Sequence, residues 1–180
     1  VGEARQRHVA DEGRLRPAEG GLVPKGNPAN LTDMQSVQQS GVRMAAMTGA
    51  IESDYAQQLG IDAMQVASPQ DGMDAVANGR ADVFALTGIS LNWLAQNNPQ
   101  VPVEVTNSFV AVIDGVPQVG AGGTVFRKED TELRDAYNAE LAKITSDKEK
   151  YLSIVGPFGF TAEELPDPNL TTAKLCGETG

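Results

Sequence analysis

The sequence holds one cysteine and one histidine in 180 residues. A single thiol excludes an internal disulfide and any cysteine-rich metal site. Cys176 lies four residues from the end and His8 in a charged N-terminal segment, which speaks against a Cys–His catalytic pair. Long apolar runs are also missing: nothing approaches the roughly 18 residues of a membrane span. The opening "VGEARQRHVADEG" has no signal-peptide core, which is uninformative for localisation, because a mature exported chain would have lost its signal. Basic side chains are scarce: 14 Lys and Arg stand against 24 Asp and Glu, a formal net charge of -10. Nucleic acid is therefore not an expected partner, because backbone binding needs a basic surface. Between Met44 and Phe126 the only basic side chain is Arg80. A ligand anion held there would have to rely on backbone N–H groups and hydroxyls, whereas a zwitterion or cation meets a favourable field.

What is present is ordinary for a globular chain, with 41% apolar and 21% charged residues, enough for one domain with a core. Residues 1 to about 30 carry Pro17, Pro24 and Pro28 with Gly20, Gly21 and Gly26, too many breakers for a long helix. "LVPK" reads as a short edge strand. "NLTDMQSV" reads as a short helix capped by Asn30 or Thr32. "VRMAAM" then predicts a strand running into Thr48-Gly49. A helix over Ala50–Leu59 follows, its Ile51, Tyr55 and Leu59 on one face and Gly60 as its stop. "DAMQVAS" is a second strand. A helix from Pro69, capped by Ser68 and stopped by Gly79, comes next. "ADVFALT" is a third strand, followed by helical "ISLNWLAQNN". This alternation predicts an α/β fold with parallel strands. Further on, "VPVEVTN" reads as a strand, Asp114-Gly115 as a hairpin turn, and helices are expected over Glu129–Ile144 and "DKEKYLSIVG".

The chemistry centres on two strand ends. Thr48-Gly49-Ala50 marks a strand-to-helix junction, where free N–H groups and a helix dipole can hold a ligand; a capped turn with no ligand fits the same pattern. Thr48 could cap the helix, and Gly49 would let a ligand approach the backbone. Thr87-Gly88 repeats the arrangement one strand later. Asn92, about one helical turn on, could face the same crevice, while Trp93, Tyr151 and Phe158 are expected in packing. Enzyme signatures are absent. "GAGG" at 120–123 is neither a phosphate loop nor a dinucleotide fingerprint, and Glu52 with Asp54 suit a helix start better than an acid–base pair. No nucleophile, base and orienter come together, so neither metal nor cofactor is expected.

The runs "LVPKGNPANLTDMQSV", "GVRMAAMTGAIESDYAQQLGI" and "PQDGMDAVANGRADVFALT" resemble the second lobe of periplasmic solute-binding proteins of ABC importers, the amino-acid-binding type. "TVFRKEDTELRDAYNAELAKI" and "VGPFGFTAEE" are similar to that family's C-terminal part. "SLN" and "VGPFGFTAEELPDPNLTTAKLC" resemble the ectoine/hydroxyectoine-binding proteins. The resemblance covers residues 22 to 176 and implies a type II periplasmic binding protein-like fold, mainly the second lobe with C-terminal helices returning from it. It implies three segments: an atypical 1–21, a ligand-binding domain at 22–120, and a C-terminal strand and helices at 121–180 that normally pack on the first lobe.

By position, Thr48, Gly49, Ala50 and Ile51 match the turn that holds the ligand carboxylate. Thr87 matches a site that is Asp in many amino-acid binders, and Asn92 a ligand-contacting asparagine of the ectoine type. Threonine there suits a ligand with a delocalised positive charge. The implied function is non-catalytic binding of a small zwitterionic compatible solute, ectoine or hydroxyectoine, or an amino-acid-like compound in the periplasm. The implied partner is a membrane permease of an ABC importer. Most of the first lobe is expected to be absent, which would leave apolar faces on the C-terminal helices for a homodimer and deprive Cys176 of its family disulfide partner. Alternatives on the same fold are an effector-binding domain, a cyclohexadienyl dehydratase-like enzyme, and an inactive lobe fragment.

Overall fold

The computed structural model describes residues 7–9, 19–118, 124–162 and 165. In chain order the elements are β1 (Arg7–Val9), β2 (Glu19–Pro24), α1 (Met34–Ser40), β3 (Met44–Met47), α2 (Ile51–Gln58) and β4 (Met64–Val66). Then come α3 (Pro69–Ala77), β5 (Val83–Thr87), α4 (Gly88–Asn97), β6 (Val103–Val105), β7 (Val112–Ile113) and β8 (Val116–Pro117). β9 (Val125–Arg127), α5 (Thr131–Thr145) and α6 (Lys148–Val155) complete the set. The chain forms two compact units, one over residues 17–119 with 157–160, the other containing β1, β9, α5 and α6.

The first unit is built on a five-stranded sheet in the order β4-β3-β5-β2-β6. β3 pairs in parallel with β4 and β5, as the β-α alternation requires, and β2 runs antiparallel between β5 and β6. Alternation along each strand sorts the side chains onto two faces. Val23, Met44, Ala46, Val83 and Ala85 pack under Met34 and Val37 of α1 and Tyr55 and Ala56 of α2. Leu22, Ala45 and Phe84 pack under Met73 and Val76 of α3 and Leu91 and Leu94 of α4.

β2 departs from the sequence expectation twice: it begins at Glu19, inside the stretch read as atypical, and it is internal rather than an edge. Its glycines are packing residues, not breakers. A Cβ on Gly20 would stand 3.2 Å from the Gly88 Cα, and one on Gly21 would stand 3.1 Å from Val83. The cap of α1 is Asp33, not Asn30 or Thr32. Asp33 Oδ1 accepts from the Ser36 N–H at 2.7 Å, and Ser36 Oγ accepts from the Asp33 N–H at 3.0 Å, a reciprocal capping box. Asn30 instead turns the chain with φ 51°. Replacing Asp33 with Ala should therefore cost about 1 kcal/mol of stability, measurable by chemical denaturation, whereas Thr32→Ala should be near neutral.

α3 starts as expected, with Ser68 Oγ accepting from the Asp71 N–H at 3.2 Å and Pro69 in the first turn. β7 and β8 form the predicted hairpin, with Asp114 and Gly115 both at positive φ (50° and 78°). In the second unit β1 pairs antiparallel with β9, and the Phe126 and Tyr137 rings meet edge to face at 5.4 Å. α5 buries none of its residues, and Leu133 on it is 60% exposed. Gly156 closes α6 as its C-cap, and its φ of -55° carries the chain into a short 3-10 turn. Cys176 and the "GAGG" stretch lie outside the described residues.

Candidate ligand-binding site

Because β3 and β5 are adjacent and parallel, their carboxyl ends open on the same edge of the sheet. Ala46 is registered with Ala85, and two residues further on each strand stand Thr48 and Thr87. The two threonine–glycine turns predicted to form one crevice are thus brought to neighbouring strand ends.

The turn after β3 is closed by three backbone bonds: Thr48 N–H to the Val66 carbonyl at 3.0 Å, Ala50 N–H to Met47 at 3.0 Å, and Ser53 N–H to Ala50 at 3.1 Å. Gly49 sits at φ 77°, a left-handed conformation that suits glycine, and no atom lies within 4 Å of where its Cβ would be. The N-cap of α2 is Ala50 rather than Thr48, and no side chain bonds to the helix start. The exposed Thr48 and Ile51 flank a helix N-terminus where the Thr48, Ala50 and Ser53 N–H groups are used in the turn, while the first two helical N–H groups, those of Ile51 and Glu52, have no intrahelical acceptors. α4 likewise starts without a side-chain cap, Thr87 being its N-cap residue. Thr87 Oγ1 instead donates to Ser90 Oγ at 2.9 Å.

Asn92 is held elsewhere: its Nδ2 donates to the Gly159 carbonyl at 3.3 Å. Gly159 packs so closely on α4 that a Cβ there would stand 2.4 Å from the Ile89 carbonyl oxygen. Asn92 thus ties the 157–160 segment to α4. Trp93 and Phe158, expected in packing, are 47% and 61% exposed. With Pro69, Ile89, Ser90 and Leu94 they line a cavity of about 240 Å³ at the amino ends of α3 and α4. A second hollow of about 270 Å³ lies at the opposite edge of the sheet, beside Asp82. Arg43 grips Asp82 with two guanidinium bonds, at 2.8 and 3.0 Å, and one from its backbone N–H at 2.9 Å, and holds its carboxyl below the usual range.

An acid pair was missed by sequence reasoning. Glu19 is registered with Thr87 across the β2–β5 ladder and is 5% exposed; Glu52, in the first turn of α2, is 1% exposed. Burial, followed by a hydrogen bond and repulsion from Glu52, pushes the Glu19 carboxyl up to about 9. The Tyr55 hydroxyl is also raised, first by burial and then by Glu19, Glu52 and Asp54. Glu19 was unreadable because the residues before "LVPK" gave no strand pattern.

No family model matches the chain. It is 35% identical over 163 residues to a probable amino-acid ABC transporter periplasmic-binding protein of Sinorhizobium fredii, a match over 88% of this chain and 53% of the relative. The structure of EhuB in complex with hydroxyectoine is similar at 30% identity and a TM-score of 0.63, covering 94% of this chain and 64% of that one. An ancestral cationic amino acid solute-binding protein shares the fold at a TM-score of 0.69 and 16% identity, over 89% of this chain and 66% of its own. The fold is that of the type II periplasmic binding proteins. In sequence and fold the chain is similar to periplasmic amino-acid and solute binding proteins of ABC transporters, and it spans about half the length of the curated relative.

Proposed function

We propose that this chain supplies the α/β lobe that grips a small zwitterionic solute for import through an ABC permease, with ectoine or hydroxyectoine as the ligand class. The observation that carries the reading is the pair of threonine–glycine turns on adjacent parallel strand ends, each leading into a helix without a side-chain cap. Such an edge offers backbone N–H groups and hydroxyls to a carboxylate, in a segment almost devoid of basic side chains. In this reading Thr48, Gly49, Ala50 and Ile51 hold the ligand carboxylate, and Thr87 borders its cationic part. Asn92 acts by fixing the 157–160 segment. The hydroxyectoine carried by EhuB supports the ligand class. Kinship with periplasmic binding proteins assigns the chain to the periplasm. The expected pairing of two copies remains part of the proposal, on the exposed Leu133 and Tyr137 of α5.

Calorimetry with hydroxyectoine tests the reading. Thr48→Ala should weaken binding about tenfold or more, the effect of losing a hydrogen bond to a charged group of about 1.5–3 kcal/mol. Unchanged affinity in that variant would remove the turn from the site. A dehydratase-like enzyme is the second reading, suggested by the similarity of the fold to a reconstructed precursor of cyclohexadienyl dehydratase. Product formation from such a substrate would favour it.

A further inference from the structure

Glu19 and Glu52 are the two buried acids among the described residues. Within residues 17–119 the basic side chains are Lys25, Arg43 and Arg80. Lys25 follows the far end of β2, and Arg43 and Arg80 precede β3 and β5, so all three lie toward the opposite edge of the sheet. Two carboxylates in apolar surroundings cannot both stay charged without a counter-ion, and a hydrogen bond between them requires a proton on one. The Glu52 side chain acts on the Glu19 carboxyl both by hydrogen bonding and by charge, which sets the two buried acids beside each other. Glu19 Oε2 and Glu52 Oε1 have no hydrogen-bond partner among the described residues, so nothing else in view offsets the charge. A metal is a poor substitute, because no group of three or more potential ligands occurs among the described residues.

The position of the pair gives the proton a consequence. Glu19 opens β2, locked by reciprocal backbone bonds with Phe109 at 2.8 and 2.9 Å, and faces Thr87 in the ladder. Glu52 lies in the first turn of α2, directly after the Thr48–Ala50 turn. The other titratable groups acting here, Asp54 and Tyr55, are also on α2, and neither carries positive charge. Thr87 on β5 and Phe109 beyond β6 do not titrate, and the core on this face is otherwise apolar.

We propose that Glu19 and Glu52 hold one proton between them, and that this proton fixes the first turn of α2 against the start of β2, making the Thr48–Ala50 turn a proton-dependent part of the site. Loss of the proton leaves two like charges in a dry space, and the cheapest relief is for α2 to move away from β2 and admit water. That motion would displace the N–H groups on which the proposed grip depends. The inference rests on the functional reading only in calling the turn a grip.

The test is a carboxyl-carbon NMR titration of the full chain labelled at glutamate, with amide shifts followed in parallel. One glutamate should titrate near pH 9 instead of near 4.5, and the amides of residues 48–53 should move with the same midpoint. Both signals should vanish in Glu19→Gln, which keeps a hydrogen-bonding group but cannot lose the proton. Glu52→Gln serves as a second variant: the Glu19 titration should move down but stay above the ordinary range, because burial remains, and the amides of residues 48–53 should no longer follow it, since only one charge then forms. Absence of any glutamate titrating well above the ordinary range, or a high titration that leaves residues 48–53 unmoved, overturns the proposal. Hydroxyectoine binding is read separately at a single pH, so failure of the functional reading leaves this result intact.

Discussion

Glu19→Gln should make the protein more stable at neutral and alkaline pH. The sign follows from linkage. The folded chain retains a proton up to about pH 9 that the unfolded chain releases near 4.5, so stability falls as pH rises through that window. The slope for one such group approaches about 1.4 kcal/mol per pH unit. Glutamine, neutral in both states, removes that slope. Denaturation by urea at intervals from pH 5 to pH 9 should show the variant drawing ahead of the native chain by a few kcal/mol toward pH 8. The gap should close toward pH 4.5 and stop widening above pH 9, where both states of the native chain have lost the proton. Parallel curves across the window would mean that the carboxyl is ordinary.

The second large effect concerns Gly72, in the middle of α3. A Cβ there would lie 2.6 Å from three atoms of the Phe84 ring, which is fully buried at the centre of its core face. Glycine lets the helix rest directly on the ring, and the backbone at this position is not in the left-handed region, so the obstacle is steric alone. Alanine in a helix is ordinarily worth about 0.5–1 kcal/mol more than glycine. Here overpacking costs about 1–3 kcal/mol and should win. Gly72→Ala should therefore lower the unfolding midpoint, and adding Phe84→Leu should recover part of the loss although Phe84→Leu alone also destabilises. The non-additive term is expected at about 1 kcal/mol or more, since the two groups touch. A stabilising alanine at 72 would show that α3 can retreat from the sheet at little cost.

Both effects arise at residues whose sequence signals were of different quality. The β-α alternation from Met44 to Thr87 was readable because each helix carries its own stop or cap, such as Ser68 and Pro69 before α3 and Gly60 after α2. The two threonine–glycine turns were readable for the same reason: each ends a strand pattern and begins a helical one. β2 was not, because Gly20 and Gly21 are there to clear Gly88 and Val83, contacts between residues far apart in the chain. Missing β2 meant missing Glu19, whose meaning depends on a ladder partner 68 positions away. The bond from the Asn92 amide to Gly159 was also unreadable, since it reaches a segment that local pattern cannot place beside α4. Trp93 and Phe158 show the same limit: large aromatic side chains read as core, yet they line an open cavity on the helix ends. Pattern located the edge of the sheet proposed to hold the ligand; tertiary contacts decided which side chains reach it.

The central claim is that the carboxyl ends of β3 and β5 hold the ligand. Amide shift mapping on addition of hydroxyectoine tests it most directly. The account predicts saturable shifts concentrated at Thr48, Gly49, Ala50 and Ile51 and at Thr87 to Ser90. Saturable shifts confined to other residues, or no shifts at millimolar hydroxyectoine, would contradict it.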